Sequence, residues 1–228
     1  MKISMKKRKI GYTYGSVSGK FSFRGEKIVE FESLLEKDLL TILEFNDTVS
    51  DVIEQPFTIE YINEKGKPAS YTPDFLVYFK LYGLGTTNKV YPKPLLIEVK
   101  PRKILKKRFN EFRPKFKAAI SYTMQNDMIF KIYDESRIHG VYYDNVKKLK
   151  KYIRQEYNKL EEEKLLERLQ LLGHTSIECL IEHLAVTDEQ KGITLGQIYH
   201  LIATKKIGCD FTYPITLNTT IWLNMELV

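Results

Sequence analysis

An α/β domain followed by a smaller, mainly helical one is the fold class that the sequence predicts, and three observations predict it. A capped amphipathic helix at residues 33–45 is followed by a series of short apolar strands. Within that series, Leu95-Leu96-Ile97-Glu98-Val99-Lys100 is too apolar for a surface strand, yet it carries an acid and a lysine. From Asp144 the texture changes to charged helices, which sets a boundary near residue 143, with an α/β domain over 1–143 and a helical domain over 144–228.

Composition agrees with two core-bearing units. The 228 residues are 43% hydrophobic and 12% aromatic, enough apolar material for a real core. The formal net charge of +7 favours an anionic partner, nucleic acid before membrane, although a solvated basic surface gives the same balance. Cys179 and Cys209, the only cysteines, make neither a disulfide framework nor a zinc site and read as thiols in a reducing compartment. The basic N-terminal stretch MKISMKKRKIGYTY has no apolar run after it, so no secretory signal is expected. No window approaches the roughly 20 apolar residues of a membrane span. The expectation is a soluble cytoplasmic protein associated with DNA, with no membrane partner.

The elements follow in order. Lys9–Tyr14 and Lys20–Phe23 read as strands or an extended arm. Ser33 has the N-cap position of the first helix, with Glu36 at capping-box spacing. Residues 49–79 are strand material broken by a turn near Asn63–Lys67. A loop at Gly83–Asn88 leads into a strand at Lys89–Lys100, then a helix at residues 106–125 that Pro114 kinks or divides, then a strand at Met128–Tyr133. Residues 145–172 read as one long amphipathic helix ended by Gly173. Shorter helices at Ser176–Leu184 and Thr194–Thr204 and an extended, threonine-rich tail complete the chain. Helix, helix, helix, hairpin is the order of a winged-helix module.

Three positions hold charge where apolar residues belong. On a wheel of about 100° per residue, Leu35, Leu39, Leu40, Ile42 and Leu43 form one face of the first helix; Lys37, Asp38, Thr41 and Glu44 form the other. Glu36 falls within the apolar face, and either it caps the helix with Ser33 or it serves a site. Asp74, after Pro73, opens an apolar strand on the face of Leu76 and Tyr78; a turn aspartate is the plain alternative. Glu98 and Lys100 share a face with Leu96 on a strand that reads as interior, where an acid and a lysine are costly unless paired or holding a metal. Neighbouring strands would set Asp74 beside Glu98.

A helix glutamate, then Pro-Asp heading a strand, then Glu-x-Lys on the next strand is the arrangement of phosphodiester-cutting enzymes of the PD-(D/E)xK type. Asp74 and Glu98, with the Val99 carbonyl as a further ligand, suit a hard divalent ion such as Mg²⁺, with Mn²⁺ as substitute. Such an ion polarises the phosphate and lowers the pKa of water. Lys100 orients or activates that water or neutralises the phosphate, and Glu36 reaches the site from the helix. Residues 101–117 follow at once with eight basic residues against one acid, Glu111. Arg102, Lys103, Lys106, Lys107 and Arg108 are the candidate DNA contacts, and Phe109, Phe112 and Phe116 the buried stripe between the basic positions.

Through Ser33-Leu34-Leu35-Glu36, the VSDVIEQP segment at residues 49–56, Thr72–Val77 and Ile97–Pro101, the chain resembles the TnsA family, the endonuclease subunit of heteromeric cut-and-paste transposons, some of them guided by CRISPR complexes. The C-terminal half is similar more loosely, through LGQIYHLIATKKIGCDF. The resemblance implies a restriction-endonuclease-like core with Glu36, Asp74, Glu98 and Lys100 as its catalytic set. Some members carry glutamine at the position of Glu98. It also implies cleavage at the 5′ ends of transposon-end DNA, a TnsB-like DDE transposase acting on the 3′ ends, a TnsC-like AAA+ ATPase regulating both, and a winged-helix half that binds a partner. Two alternatives fit the same core: a stand-alone restriction or repair nuclease, and an inactive nuclease fold serving as a DNA-binding adaptor.

Overall fold

The structure, a computed structural model, describes residues 17–80 and 92–224. The strand predicted at Lys9–Tyr14, the loop at Gly83–Asn88 and the first residues of the strand predicted from Lys89 lie outside the described residues. The chain forms two compact units, Met1–Ile138 and His139–Val228, dividing a few residues ahead of the sequence-based boundary. Among the described residues, no helix is long and apolar enough to cross a membrane.

The first unit begins with an antiparallel hairpin of β1 (Gly19–Phe23) and β2 (Lys27–Phe31). Helix α1 (Leu34–Phe45) follows, N-capped by Ser33. Strand β3 (Val49–Glu54) leads to a second hairpin, β4 (Ile59–Ile62) and β5 (Pro68–Tyr71), around the predicted turn, where Asn63 Oδ1 accepts the Lys65 and Lys67 amides. Then come β6 (Phe75–Phe79), β7 (Leu95–Val99), α2 (Arg102–Gln125), β8 (Ile129–Tyr133) and the short α3 (Glu135–Ile138). The central sheet has the order β3-β6-β7-β8, with β7 antiparallel to β6 and parallel to β8. A parallel pair needs a crossover, and α2 supplies it.

Both faces of this sheet are covered, which is why β7 is apolar on both sides. On one face, Phe75, Val77, Ile97 and Val99 pack with Leu35, Leu39, Leu40 and Leu43 of α1 and with the aromatic residues of the first hairpin. On the other, Leu76 and Leu96 pack with Ala119 and Tyr122 of α2 and with Ile59 and Tyr71 of the second hairpin. Strand alternation therefore sends Asp74, Glu98 and Lys100 toward the α2 face.

Two details of this unit differ from the sequence reading. Thr41 and Glu44, assigned to the solvent face of α1, are buried: Thr41 donates to the Lys37 carbonyl, and Glu44 accepts the backbone N–H of Arg24 from the first hairpin's turn. In α2 the helical dihedrals fail at Arg108 (φ −120°, ψ 22°), while the helix runs on through Pro114. A proline crowds the carbonyl four residues before it, here that of Asn110, and the distortion appears in the adjoining turn. The break also takes Phe109 out of the buried stripe, leaving it 51% exposed, while Phe112 and Phe116 stay buried.

The second unit comprises α4 (Val141–Lys150), α5 (Lys159–Leu172), β9 (Thr175–Ser176), α6 (Ile177–Leu184), α7 (Asp188–Ala203), β10 (Ile207–Cys209) and β11 (Thr220–Leu223). Its small antiparallel sheet has the order β10-β11-β9. The single helix predicted over 145–172 is two, α4 and α5. Between them the Tyr152 ring packs at a tilt on Tyr199 and that of Tyr157 on His200, His200 Nδ1 bonds the Tyr152 carbonyl, and Asn158 caps α5. Tertiary packing of these tyrosines on α7 outweighs the local helical pattern. Helix α7 starts at Asp188, ahead of the predicted Thr194, because Thr187 and Gln190 form a capping box.

Candidate active site

The register of β6 on β7 pairs Phe75 with Ile97, Leu76 with Leu96 and Val77 with Leu95. One step further, Asp74 stands opposite Glu98. Its backbone is fixed on both sides: its N–H donates to the Ile97 carbonyl at 3.1 Å, and its carbonyl accepts the Gln55 N–H at 2.9 Å. Its side chain accepts the Val99 N–H through Oδ2 at 2.6 Å. The sequence reading assigned the Val99 carbonyl to the site; the Val99 group bonded to Asp74 is the amide.

Glu98 is 1% exposed, and both its oxygens are occupied. The Tyr71 hydroxyl donates to Oε2 at 2.6 Å. Lys115 Nζ lies 2.8 Å from Oε1, and Lys100 Nζ lies 3.3 Å from the same oxygen and 3.7 Å from Asp74 Oδ2. The Lys115 ammonium also sits 4.6 Å from the ring centre of Tyr71, 4.8 Å from that of Phe112 and 5.3 Å from that of Phe116. Buried charge is tolerable where it is paired and hydrogen-bonded, and Glu98 meets both conditions. Tyr71 and Lys115 were missed as site residues. The signal for Lys115 was its place on the helix, three after Phe112 and four before Ala119, on the face that packs against the sheet; its place in a basic run concealed it.

Glu36 faces its own helix end. Its Oε2 accepts the Glu32 N–H at 2.7 Å, its Oε1 accepts the Ser33 hydroxyl at 2.8 Å, and its N–H donates back to Ser33 Oγ at 3.2 Å. Ser33 caps the helix, and Glu36 joins that turn through the Glu32 N–H and the Ser33 hydroxyl rather than through the Ser33 N–H that would close a capping box. Glu36 makes no hydrogen bond to Asp74, Glu98 or Lys100, yet it is coupled to the site through space. Burial raises its pKa, the Glu32 and Ser33 hydrogen bonds and the Lys100 charge oppose the rise, and its own charge acts on Asp74.

The electrostatics of the cluster follow from excess negative charge in a poorly hydrated place. Burial first, then the Glu98 carboxylate, drive the Asp74 pKa well above its ordinary value; Glu36 adds to the rise, while Lys100 and the Val99 amide counter it. For Lys100, burial depresses the ammonium, but Asp74 and Glu98 outweigh it and the net shift is upward. Burial and the Glu98 charge raise Tyr71, which keeps its hydroxyl a donor.

Residues 46–135 match the family model described as TnsA-like endonuclease N terminal. This segment is similar to a TnsA-like endonuclease domain. It runs from the end of α1 through β8 and contains Asp74, Glu98, Lys100, Tyr71 and Lys115, with Glu36 just before it. The match carries with it a restriction-endonuclease-like α/β fold and a nuclease related to Tn7-like transposition. No curated relative matches the chain.

Within the TnsA-like domain the donor set fits a hard cation. Asp74 and Glu98 offer carboxylate oxygens side by side, and the mutual repulsion that raises Asp74 is what a cation relieves. Among the described residues, no group of three or more His, Cys, Asp or Glu side chains is gathered for a metal, in keeping with Glu36 being turned to its cap. The candidate DNA contacts lie at the start of α2, directly after β7, and all are exposed. Among the described residues, no ion pair holds Lys103, Lys106 or Lys107, whereas Arg108 is paired with Glu111 and Arg102 Nε lies 3.9 Å from Asp134.

Proposed function

We propose that the chain is a divalent-metal-dependent DNA endonuclease that cuts the 5′ ends of a transposon during cut-and-paste transposition, working with a DDE transposase and an AAA+ ATPase. The observation that carries the reading is the Asp74–Glu98–Lys100 cluster inside the TnsA-like segment. Asp74 and Glu98, with the Val99 carbonyl, are the ligands assigned to Mg²⁺, or to Mn²⁺ in its place. When bound, such an ion polarises the phosphodiester and makes water a better nucleophile.

The chain's own groups do the rest. Water forms the new bond to phosphorus as the bond to the bridging oxygen breaks; the water gives up a proton to solvent, the departing oxygen takes one up, and negative charge builds on the phosphoryl oxygens in between. Lys100, whose raised pKa keeps it an ammonium, stabilises that charge. Glu36 acts by holding the end of α1 and adding negative potential. Lys103, Lys106 and Lys107 contact the phosphates flanking the cut. The order helix, strand, helix, helix, strand, strand from α5 to β11 supports reading the second unit as a winged helix that binds a partner protein.

Strand mapping tests this. A duplex carrying the element's end, labelled separately on each strand, is incubated with Mg²⁺ and the chain, with and without a TnsB-like DDE transposase. The expected result is transposase-dependent scission of the strand whose 5′ end belongs to the element. Sequence-specific cutting of both strands by the chain alone would favour a stand-alone nuclease, and binding without scission in any condition would favour an adaptor.

A further inference from the structure

We infer that Lys115 is the resident cation of the acidic pair, holding the Glu98 oxygen that a divalent ion takes, so that metal binding displaces its ammonium. The inference rests on the metal-nuclease reading above and adds a residue that sets the metal affinity of that site.

Four observations carry it. Lys115 Nζ is the nearer of the two ammoniums on Glu98 Oε1, at 2.8 Å against 3.3 Å for Lys100. Oε2 is taken by Tyr71, so a cation entering beside Glu98 competes for Oε1. Lys115 is largely buried, its side chain 14% exposed, on the face of α2 that packs against the sheet, where a cation needs a reason to be. Lastly, the rings of Tyr71, Phe112 and Phe116 all lie within 5.3 Å of its ammonium. That aromatic cage keeps attracting a cation released from the carboxylate, so the exchange does not strand a bare charge in the core. Lys100 touches both Asp74 and Glu98 and is part of the chemistry; Lys115 touches Glu98 alone and is a positioning residue.

Mn²⁺ binding to the full chain without DNA, followed by electron paramagnetic resonance, tests the inference on native protein, Lys115→Met, Lys115→Arg and Asp74→Ala. Methionine keeps the stem and its packing against the rings, while Glu98 retains Lys100 and Tyr71. Lys115→Met is expected to bind Mn²⁺ at least about tenfold more tightly than native, a small share of the attraction between unit charges at such a separation. Lys115→Arg, which keeps the charge, is expected to stay at or below native affinity. Should Lys115→Met fail to fold, acylation footprinting of the native chain decides: labelling of Lys115 is expected to rise on saturation with Mn²⁺. Unchanged or weaker binding by folded Lys115→Met, or labelling indifferent to Mn²⁺, overturns the role of Lys115 while leaving the metal site standing. Absence of any Asp74-dependent Mn²⁺ binding, in native and Lys115→Met alike, overturns the metal reading and the inference with it.

Discussion

Replacing Tyr71 with phenylalanine removes one hydroxyl from the least hydrated part of the site. That hydroxyl donates to Glu98 Oε2 at 2.6 Å, and Glu98 is 1% exposed, so water does not readily take its place. The ring stays, so its packing with Ile59, Leu76, Leu96, Ala119 and Tyr122 survives, as does its face toward the Lys115 ammonium. The loss is then that of one hydrogen bond to a charged acceptor, about 1.5–3 kcal/mol net. The other oxygen keeps two ammoniums, which prevents the larger loss of an unpaired buried carboxylate. We expect Tyr71→Phe to lower the stability of the first unit by about 2 kcal/mol. Hydrogen exchange across a urea series, read on peptides spanning β6 and β7, measures it, with no change in the urea dependence of their global opening. A loss below about 0.5 kcal/mol, the scale of a surface substitution, would refute the view that Tyr71 holds the buried Glu98 side chain.

Three further outcomes are expected. Because Asp74 binds its proton more tightly folded than unfolded, its carboxylate costs stability above the folded pKa, and that cost is gone below the ordinary value of 3.8. Asp74→Asn should therefore raise the melting temperature of chelator-treated protein at neutral pH, with the gain vanishing near pH 4 and below; thermal melts across pH measure it, and a loss at neutral pH would contradict it. Ser33→Ala removes the cap of α1 and a partner of Glu36, and should cost about 1 kcal/mol in urea unfolding. Changing Lys103, Lys106 and Lys107 together to alanine should weaken duplex binding equally on all sequences and lower the salt slope by about one per lysine, measured by fluorescence anisotropy over a salt series.

Much of the site was legible because strand geometry is strict. The alternation of apolar residues in Phe75–Phe79 and Leu95–Val99 fixed which face Asp74 and Glu98 occupy, and antiparallel pairing set them opposite. Ser33 and Glu36 announced a helix start, and the structure forms it. What stayed hidden depends on tertiary neighbours. Lys115 reads as one more basic residue until α2 is laid on β7, and Tyr71 reads as an apolar strand residue until its hydroxyl meets Glu98. Thr41 and Glu44 look solvent-facing because a helical wheel does not know that the first hairpin covers them. Residues 151–158 follow a helical pattern that the packing of Tyr152 and Tyr157 on α7 interrupts. Arg108, the site of the break in α2, carries no sequence mark except Pro114 six residues on.

The most direct measurement is single-turnover cleavage of the element-end duplex, in the presence of the transposase, by native protein and Asp74→Ala across a Mg²⁺ titration. If Asp74 and Glu98 form a metal nuclease centre, native scission requires Mg²⁺, and Asp74→Ala is expected to be slower by at least about 10²–10³-fold at every concentration, the scale on which losing one transition-state-stabilising group is felt. Scission by Asp74→Ala at the native rate, with the same Mg²⁺ dependence, would contradict the catalytic assignment at its root.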